Sequence, residues 1–143
     1  MDCFVADSST VSPKYEPALS NVSILVADDN AKWRCNIRRI LGVRPEWVVV
    51  SDACDGLEAV QEAAELRPSV VLLDIAMPKL NGIEAARRIR QHSPSSRVIV
   101  ITMDGDAEVR KAAFHCGAKG YIPKVKVATE LFSAIEAALR EER

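Results

Sequence analysis

From Val22 onward the chain alternates between two hydrophobic periods. Runs that are apolar at almost every position, Ser23 to Ala27, Trp47 to Ser51, Val70 to Leu73, Val98 to Ile101 and Gly120 to Ile122, predict five β-strands. Between them apolar residues recur at three- and four-residue spacing: Trp33, Ile37, Ile40 and Leu41, then Leu57, Val60, Ala63 and Ala64, then Ile83, Ala86 and Ile89. Each set predicts an amphipathic helix, and two more are expected over about Asp106 to Cys116 and Ala128 to Glu141. Asp55 followed by Glu58 reads as a capping box opening the second helix.

Strand and helix in strict alternation imply β-α units around a parallel sheet. The first, third and fourth strands are almost wholly apolar, as inner strands covered on both faces must be. The last strand ends in Pro123, which has no backbone donor, so it belongs at an edge. A doubly wound α/β fold with five parallel strands in the order 2-1-3-4-5 meets these demands. It puts any ligand beside the carboxyl ends of strands 1 and 3, where the winding direction reverses.

The first 21 residues, Met1 to Asn21, are rich in Ser, Thr and Pro and show no period, so they are expected to form a flexible leader ahead of a folded unit over 22–143. At 143 residues the chain has room for one ordinary domain. Lys plus Arg (19) balance Asp plus Glu (20), leaving a formal charge of -1 without the basic excess that holds a nucleic-acid backbone. Direct binding to nucleic acid is therefore not expected. Arg34, Arg38 and Arg39, and Arg87, Arg88 and Arg90, fall on polar helix faces and read as solvated surface. Cys3, Cys35, Cys54 and Cys116 are far apart, without metal-binding spacing, which fits a reducing cytoplasm. No signal-like run is found, and no stretch approaches the ~20 apolar residues of a membrane helix.

The candidate chemistry lies just past the strand ends. Asp28 and Asp29 follow the first, Asp74 the third, Thr102 the fourth and Lys124 the fifth, all on one rim of the sheet. Taken singly each has a bland reading: Asp29 or Asn30 as a helix cap, Asp74 closing a turn before Pro78, Thr102 as a β-former, Lys124 as a surface lysine. Four strand ends delivering acid, acid, hydroxyl and ammonium to one rim is a different matter. Three carboxylates there would repel by roughly 4 kcal/mol per pair at about 4 Å and an effective dielectric near 20. Lys124 and a hard divalent cation such as Mg²⁺ are the natural compensation.

The segments Ile24-Leu25-Val26-Ala27-Asp28-Asp29, Val71-Leu72-Leu73-Asp74-Ile75-Ala76-Met77-Pro78, Asn81-Gly82, Ile101-Thr102 and Gly120-Tyr121-Ile122-Pro123-Lys124 resemble the receiver domains of two-component response regulators. The Asp74 and Lys124 segments are most similar to receivers that precede a LuxR-type helix-turn-helix domain. The resemblance implies a flavodoxin-like receiver fold and phosphoryl transfer from a histidine kinase or phosphotransfer protein onto Asp74. It implies Mg²⁺ held by Asp29, Asp74 and the carbonyl of Ala76, with Asp28 ordering a water. Thr102 and Tyr121 would be the switch residues, Lys124 would pair with the phosphoryl group once transferred, and the fourth helix, fifth strand and fifth helix would form the output face, a possible homodimer surface. The chain departs from the family where Val125 rather than proline follows Lys124. Ala76 and Asp104 hold the positions that set phosphoryl lifetime in the family, and Met103 is bulkier than the usual small residue.

Other readings fare worse. Haloacid-dehalogenase-like phosphatases need a second acid two residues after the nucleophile, where this chain has Ala76. A flavin carrier needs a phosphate loop that does not follow Ala27, no Walker or Gly-x-Gly-x-x-Gly motif occurs, and a receiver that had lost its switch would not keep the complete acidic set. His92 and His115 read as surface or packing residues. Trp33, just past the acidic pair, is expected near the rim.

Overall fold

The computed structural model describes residues 21–103 and 106–140; all of the expected 1–21 leader but Asn21, with Cys3, and Asp104 lie outside the described residues. Strands β1 (Val22–Ala27), β2 (Trp47–Ala53), β3 (Val70–Asp74), β4 (Arg97–Thr102) and β5 (Gly120–Pro123) alternate with helices α1 (Ala31–Leu41), α2 (Gly56–Leu66), α3 (Gly82–His92), α4 (Ala107–His115) and α5 (Val127–Arg140). The sheet is parallel throughout, in the order β2-β1-β3-β4-β5. The three apolar strands are central, and β5 is an edge whose Pro123 is paired by register with Thr102.

Each face of the sheet carries its own core. Leu25, Val71, Leu73 and Val100 point to α2, α3 and α4, where the buried helix residues are mostly alanines: Ala59, Ala63, Ala85, Ala86 and Ala113. Small side chains let these helices lie close on the strands. Ile24, Val26, Leu72, Ile99 and Ile101 point the other way, to Ile37 and Leu41 of α1 and Leu131 and Ile135 of α5. Arg44 fastens this second layer: its guanidinium lies 4.2 Å from the Trp47 ring centroid and 5.0 Å from that of Phe132, and Nη2 is 2.6 Å from Glu136 Oε2.

Three local expectations are corrected. Leu57, counted on the apolar face of α2, is exposed, and Ala59 takes the buried place. Strand β2 runs past Ser51 to Ala53, and a register shift between Ile24 and Leu25 skips Val50, which faces solvent. The capping box is displaced by one residue: Asp55 Oδ1 accepts from Glu58 N as expected, but Glu58 Oε1 reaches back to Cys54 N, at 2.8 Å, and to Cys54 Sγ. Asn30, Asn81 and Asp106 cap α1, α3 and α4.

The loop from β3 to α3 is folded back on itself. Met77 N and Gly82 N both donate to Ile75 O, Leu80 N donates to Pro78 O, and Lys79 takes a left-handed conformation at φ 68°. Gly82 thus opens α3 hard against the end of β3, where a Cβ would stand 2.4 Å from Asp74 O and 2.5 Å from Ile75 Cα. Gly82→Ala is expected to cost about 2–3 kcal/mol, read as a lowered urea midpoint at unchanged slope. Gly42→Ala is the control: its Cβ would meet helix carbonyls at 3.3 and 3.5 Å with ordinary αR dihedrals, so little should change.

Candidate metal centre at the carboxyl edge of the sheet

Asp28 follows the last residue of β1 and is only 2% exposed. Its Oδ1 accepts from Asn30 N at 2.9 Å, and its own backbone oxygen accepts from Arg34 Nη1 at 2.6 Å. Asp74 closes β3 at 4% exposure, with Oδ1 accepting a long bond of 3.4 Å from Ala76 N. Asp29 is exposed at the mouth. One carboxylate oxygen from each of Asp28, Asp29 and Asp74 lies within 4.8 Å of the others. Lys124 enters from the end of β5, its Nζ 2.9 Å from Asp28 Oδ2 and 3.9 Å from Asp74 Oδ2. The shorter contact is an ion pair without hydrogen-bond alignment, so Asp28 Oδ2 is buried with no hydrogen-bond donor.

Thr102 is buried at the end of β4. Ala76 is exposed in the loop that leaves Asp74. Tyr121 stands on the α4 side: its hydroxyl donates to Asp106 O at 3.5 Å and its ring centroid is 6.5 Å from that of Phe114. Trp33 is at the rim as expected, with Lys124 Nζ 4.8 Å from its ring centroid. Lys124 opens a 3-10 turn, Lys124–Lys126, that leads directly into α5.

One reading is sharpened and one corrected. Lys124, expected to offset the acids and to pair with a phosphoryl group once transferred, is held at rest by Asp28, one of the two buried acids. Arg34 is not simply solvated: it ties α1 to the end of β1 and lies 3.5 Å from Asp52, which also pairs with Arg38. The signal was its spacing, six residues past Asp28, where a helix beginning at Ala31 brings it back over the strand end. Arg87 and Arg88 do lie on the surface, paired with Glu84. A second acidic group, Cys54, Asp55 and Glu58, is accounted for by capping and by the Lys79–Asp55 pair at 3.5 Å.

Burial raises the Asp74 carboxyl to about 6, the Asp28 charge adds to this, and Lys124 and the Ala76 amide oppose it. Hard carboxylate oxygens at this spacing, one without a hydrogen-bond donor, fit a small divalent cation better than a second ammonium. The group could bind such a cation and stabilise negative charge arriving at Asp74.

Fold and rim together define a doubly wound α/β domain with an acidic cluster and a lysine at its switch point. Residues 24–136 match the family model described as the response regulator receiver domain, and the chain belongs to that family. It is 36% identical over 117 residues to the transcriptional regulatory protein DegU of Brevibacillus brevis, covering 82% of this chain and 50% of the relative. It is 32% identical over 127 residues to the nitrate/nitrite response regulator NarL of Escherichia coli, covering 89% and 57%. A solved LuxR-family response regulator from Aurantimonas superposes with a TM-score of 0.81 at 37% identity, covering 87% of this chain and 89% of that one. The chain spans about half the length of the DegU and NarL relatives. It is a receiver domain of the two-component response regulators, and among the described residues no helix is long and apolar enough to cross a membrane.

The raised carboxyl has a consequence for stability. Asp74 titrates near 6 when folded and near 3.8 when unfolded, so between those values the native state holds the extra proton, and stability falls as pH rises through the window. In metal-free buffer Asp74→Asn should therefore stabilise the fold by about 1–3 kcal/mol at neutral pH, with the gain vanishing toward pH 4. Urea titrations in EDTA at several pH values measure this; a gain that grew on acidification would contradict it.

Proposed function

We propose that Asp74 is the phosphoacceptor of a Mg²⁺-dependent switch over residues 22–143, charged by a histidine kinase or phosphotransfer protein in a reducing cytoplasm. The observation that carries this reading is the burial of Asp74 at the sheet's switch point between two further carboxylates and Lys124. One Asp74 oxygen attacks phosphorus as the P–N bond of a phosphohistidine breaks, and the bonding pair leaves with the imidazole. Asp29, Asp74 and the Ala76 carbonyl would hold the ion, with Asp28 as an outer carboxylate ordering water. When bound, the ion neutralises charge on the transferring oxygens. Lys124 then exchanges Asp28 for the phosphoryl oxygens, and Thr102 donates its hydroxyl to them. No acid stands two residues beyond Asp74 to drive turnover of phosphate esters, which supports a switch that handles only its own phosphoryl group.

Thr102 leads toward α4 and Lys124 leads into α5, so a pull on both is transmitted to the α4-β5-α5 face, with Tyr121 following. We infer a protein contact there, a homodimer or a partner, as a shift between two pre-existing conformers. The formal charge of -1 supports a protein partner over nucleic acid for this part.

Acetyl phosphate or phosphoramidate with Mg²⁺ should add one phosphoryl group, seen as a single mass increment in intact-protein mass spectrometry, and Asp74→Asn should abolish it. Equal labelling of wild type and variant would exclude Asp74. The two charges flanking it should behave oppositely: Asp29→Ala weakens Mg²⁺ binding by about tenfold or more through loss of an oxygen ligand, whereas Lys124→Ala tightens it by removing a competing cation. Calorimetric titration distinguishes these, and a loss of affinity in both variants would overturn the division of roles.

A further inference from the structure

Lys124 has a third partner that the acid pocket does not require. Its Nζ lies over the Trp33 ring, 4.8 Å from the centroid, while contacting Asp28 at 2.9 Å and Asp74 at 3.9 Å. The lysine side chain is only 14% exposed although Val125 beside it is 86% exposed, so the indole and the pocket together keep water from the ammonium. Trp33 is not free to drift away. Its amide donates to Asn30 Oδ1 at 3.0 Å, its ring packs on the core beneath α1 and α5, and the next residue, Arg34, bonds the backbone oxygen of Asp28. The aromatic face and the carboxylate that share Lys124 are thus tied to the same strand end.

We propose that Trp33 is a positioning residue for Lys124, its ring holding the ammonium inside the acid pocket in the resting state and so setting how readily a divalent cation enters. The inference rests on the divalent-cation reading of the rim given above. A cation over an indole face that is partly shielded from water is held more firmly than one over an alkyl group, because the ring quadrupole presents its negative face. An ammonium kept between Asp28 and Asp74 neutralises charge that an incoming metal would otherwise neutralise, and it repels that metal. Removing the aromatic face lets the lysine extend into solvent, and the pocket becomes a better cation site.

The test separates ring electronics from ring bulk in the 143-residue chain. Trp33→Leu retains apolar volume without a π face, and Trp33→Phe retains a face. In spectra of the metal-free protein the ε-methylene protons of Lys124, assigned by their loss in Lys124→Ala, should lie upfield of other lysines through the indole ring current. They should return to the ordinary position in Trp33→Leu. Mg²⁺ titrations followed by amide shifts should show Trp33→Leu binding about three- to tenfold more tightly than wild type and Trp33→Phe close to wild type. In a Lys124→Ala background, Trp33→Leu should add nothing, since its effect passes through the ammonium. An ordinary Lys124 shift in the wild type, equal effects of Leu and Phe, or an effect of Trp33→Leu that survives in Lys124→Ala would each overturn the proposal. If the wild type took up no Mg²⁺, the metal reading would fail, and the ring-current comparison alone would decide the role of Trp33.

Discussion

Three carboxylates gathered at one end of a sheet, two of them almost fully buried, set the terms for the rest of this molecule. Such a group is costly in a medium of low dielectric, and a single ammonium does not cancel it. The residue of that imbalance is visible at Asp74, whose carboxyl is pushed up to about 6 chiefly by burial, despite Lys124 nearby. A site in this condition has an electrostatic reason to take up a small multivalent cation, and its Asp74 carboxyl is largely ionised at neutral pH.

Holding the acids together requires a scaffold stiff enough to resist their repulsion. The parallel sheet supplies it with two separate apolar layers, so β1 and β3 are clamped from both faces and their ends cannot splay. The close approach of α3 is made possible by Gly82, which leaves space beside Asp74 O that no other residue would leave. Asp28 is fixed further by its own turn, through Asn30 N, and by Arg34 from α1. Local helix chemistry and the functional rim are thus built from overlapping residues, and α1 is part of the site as well as part of the core.

Much of this was legible in the sequence because it depends on period and order. Inner strands that are apolar at every position, an edge strand ending in Pro123, and acids placed one step past strand ends need no coordinates to be recognised. Geometry that depends on side-chain direction was less accessible. Leu57 carries the helix period of α2 yet faces solvent, while Ala59 and Ala63 take the buried face. The Glu58 carboxylate could reach either of two amides with the same spacing, and it took that of Cys54. Arg34 looked like one of several surface arginines until α1 brought it over Asp28. Lys124 was foreseen at the rim as compensation for the acids, but spacing could not tell which of the three neighbouring acids it would choose.

The rim is also mechanically uneven, and this bears on the direction in which a change of charge at Asp74 would be felt. On the β1 side every turn is pinned: Asn30 N to Asp28, Trp33 N to Asn30, Arg34 to Asp28 O, all at 3.0 Å or shorter. On the β4 and β5 side two side chains beside the rim stand in solvent. Met103 and Val125 are 74% and 86% exposed, and Tyr121 bonds Asp106 O at a long 3.5 Å. A force applied equally to both sides moves the more compliant one. In the function proposed above, a pull on Thr102 and Lys124 would meet an α1 braced by the β1-side bonds, which favours passage along β4 and β5 toward α4 and α5. The hydrogen bonds that assemble the acid pocket thus also brace the α1 side of the rim.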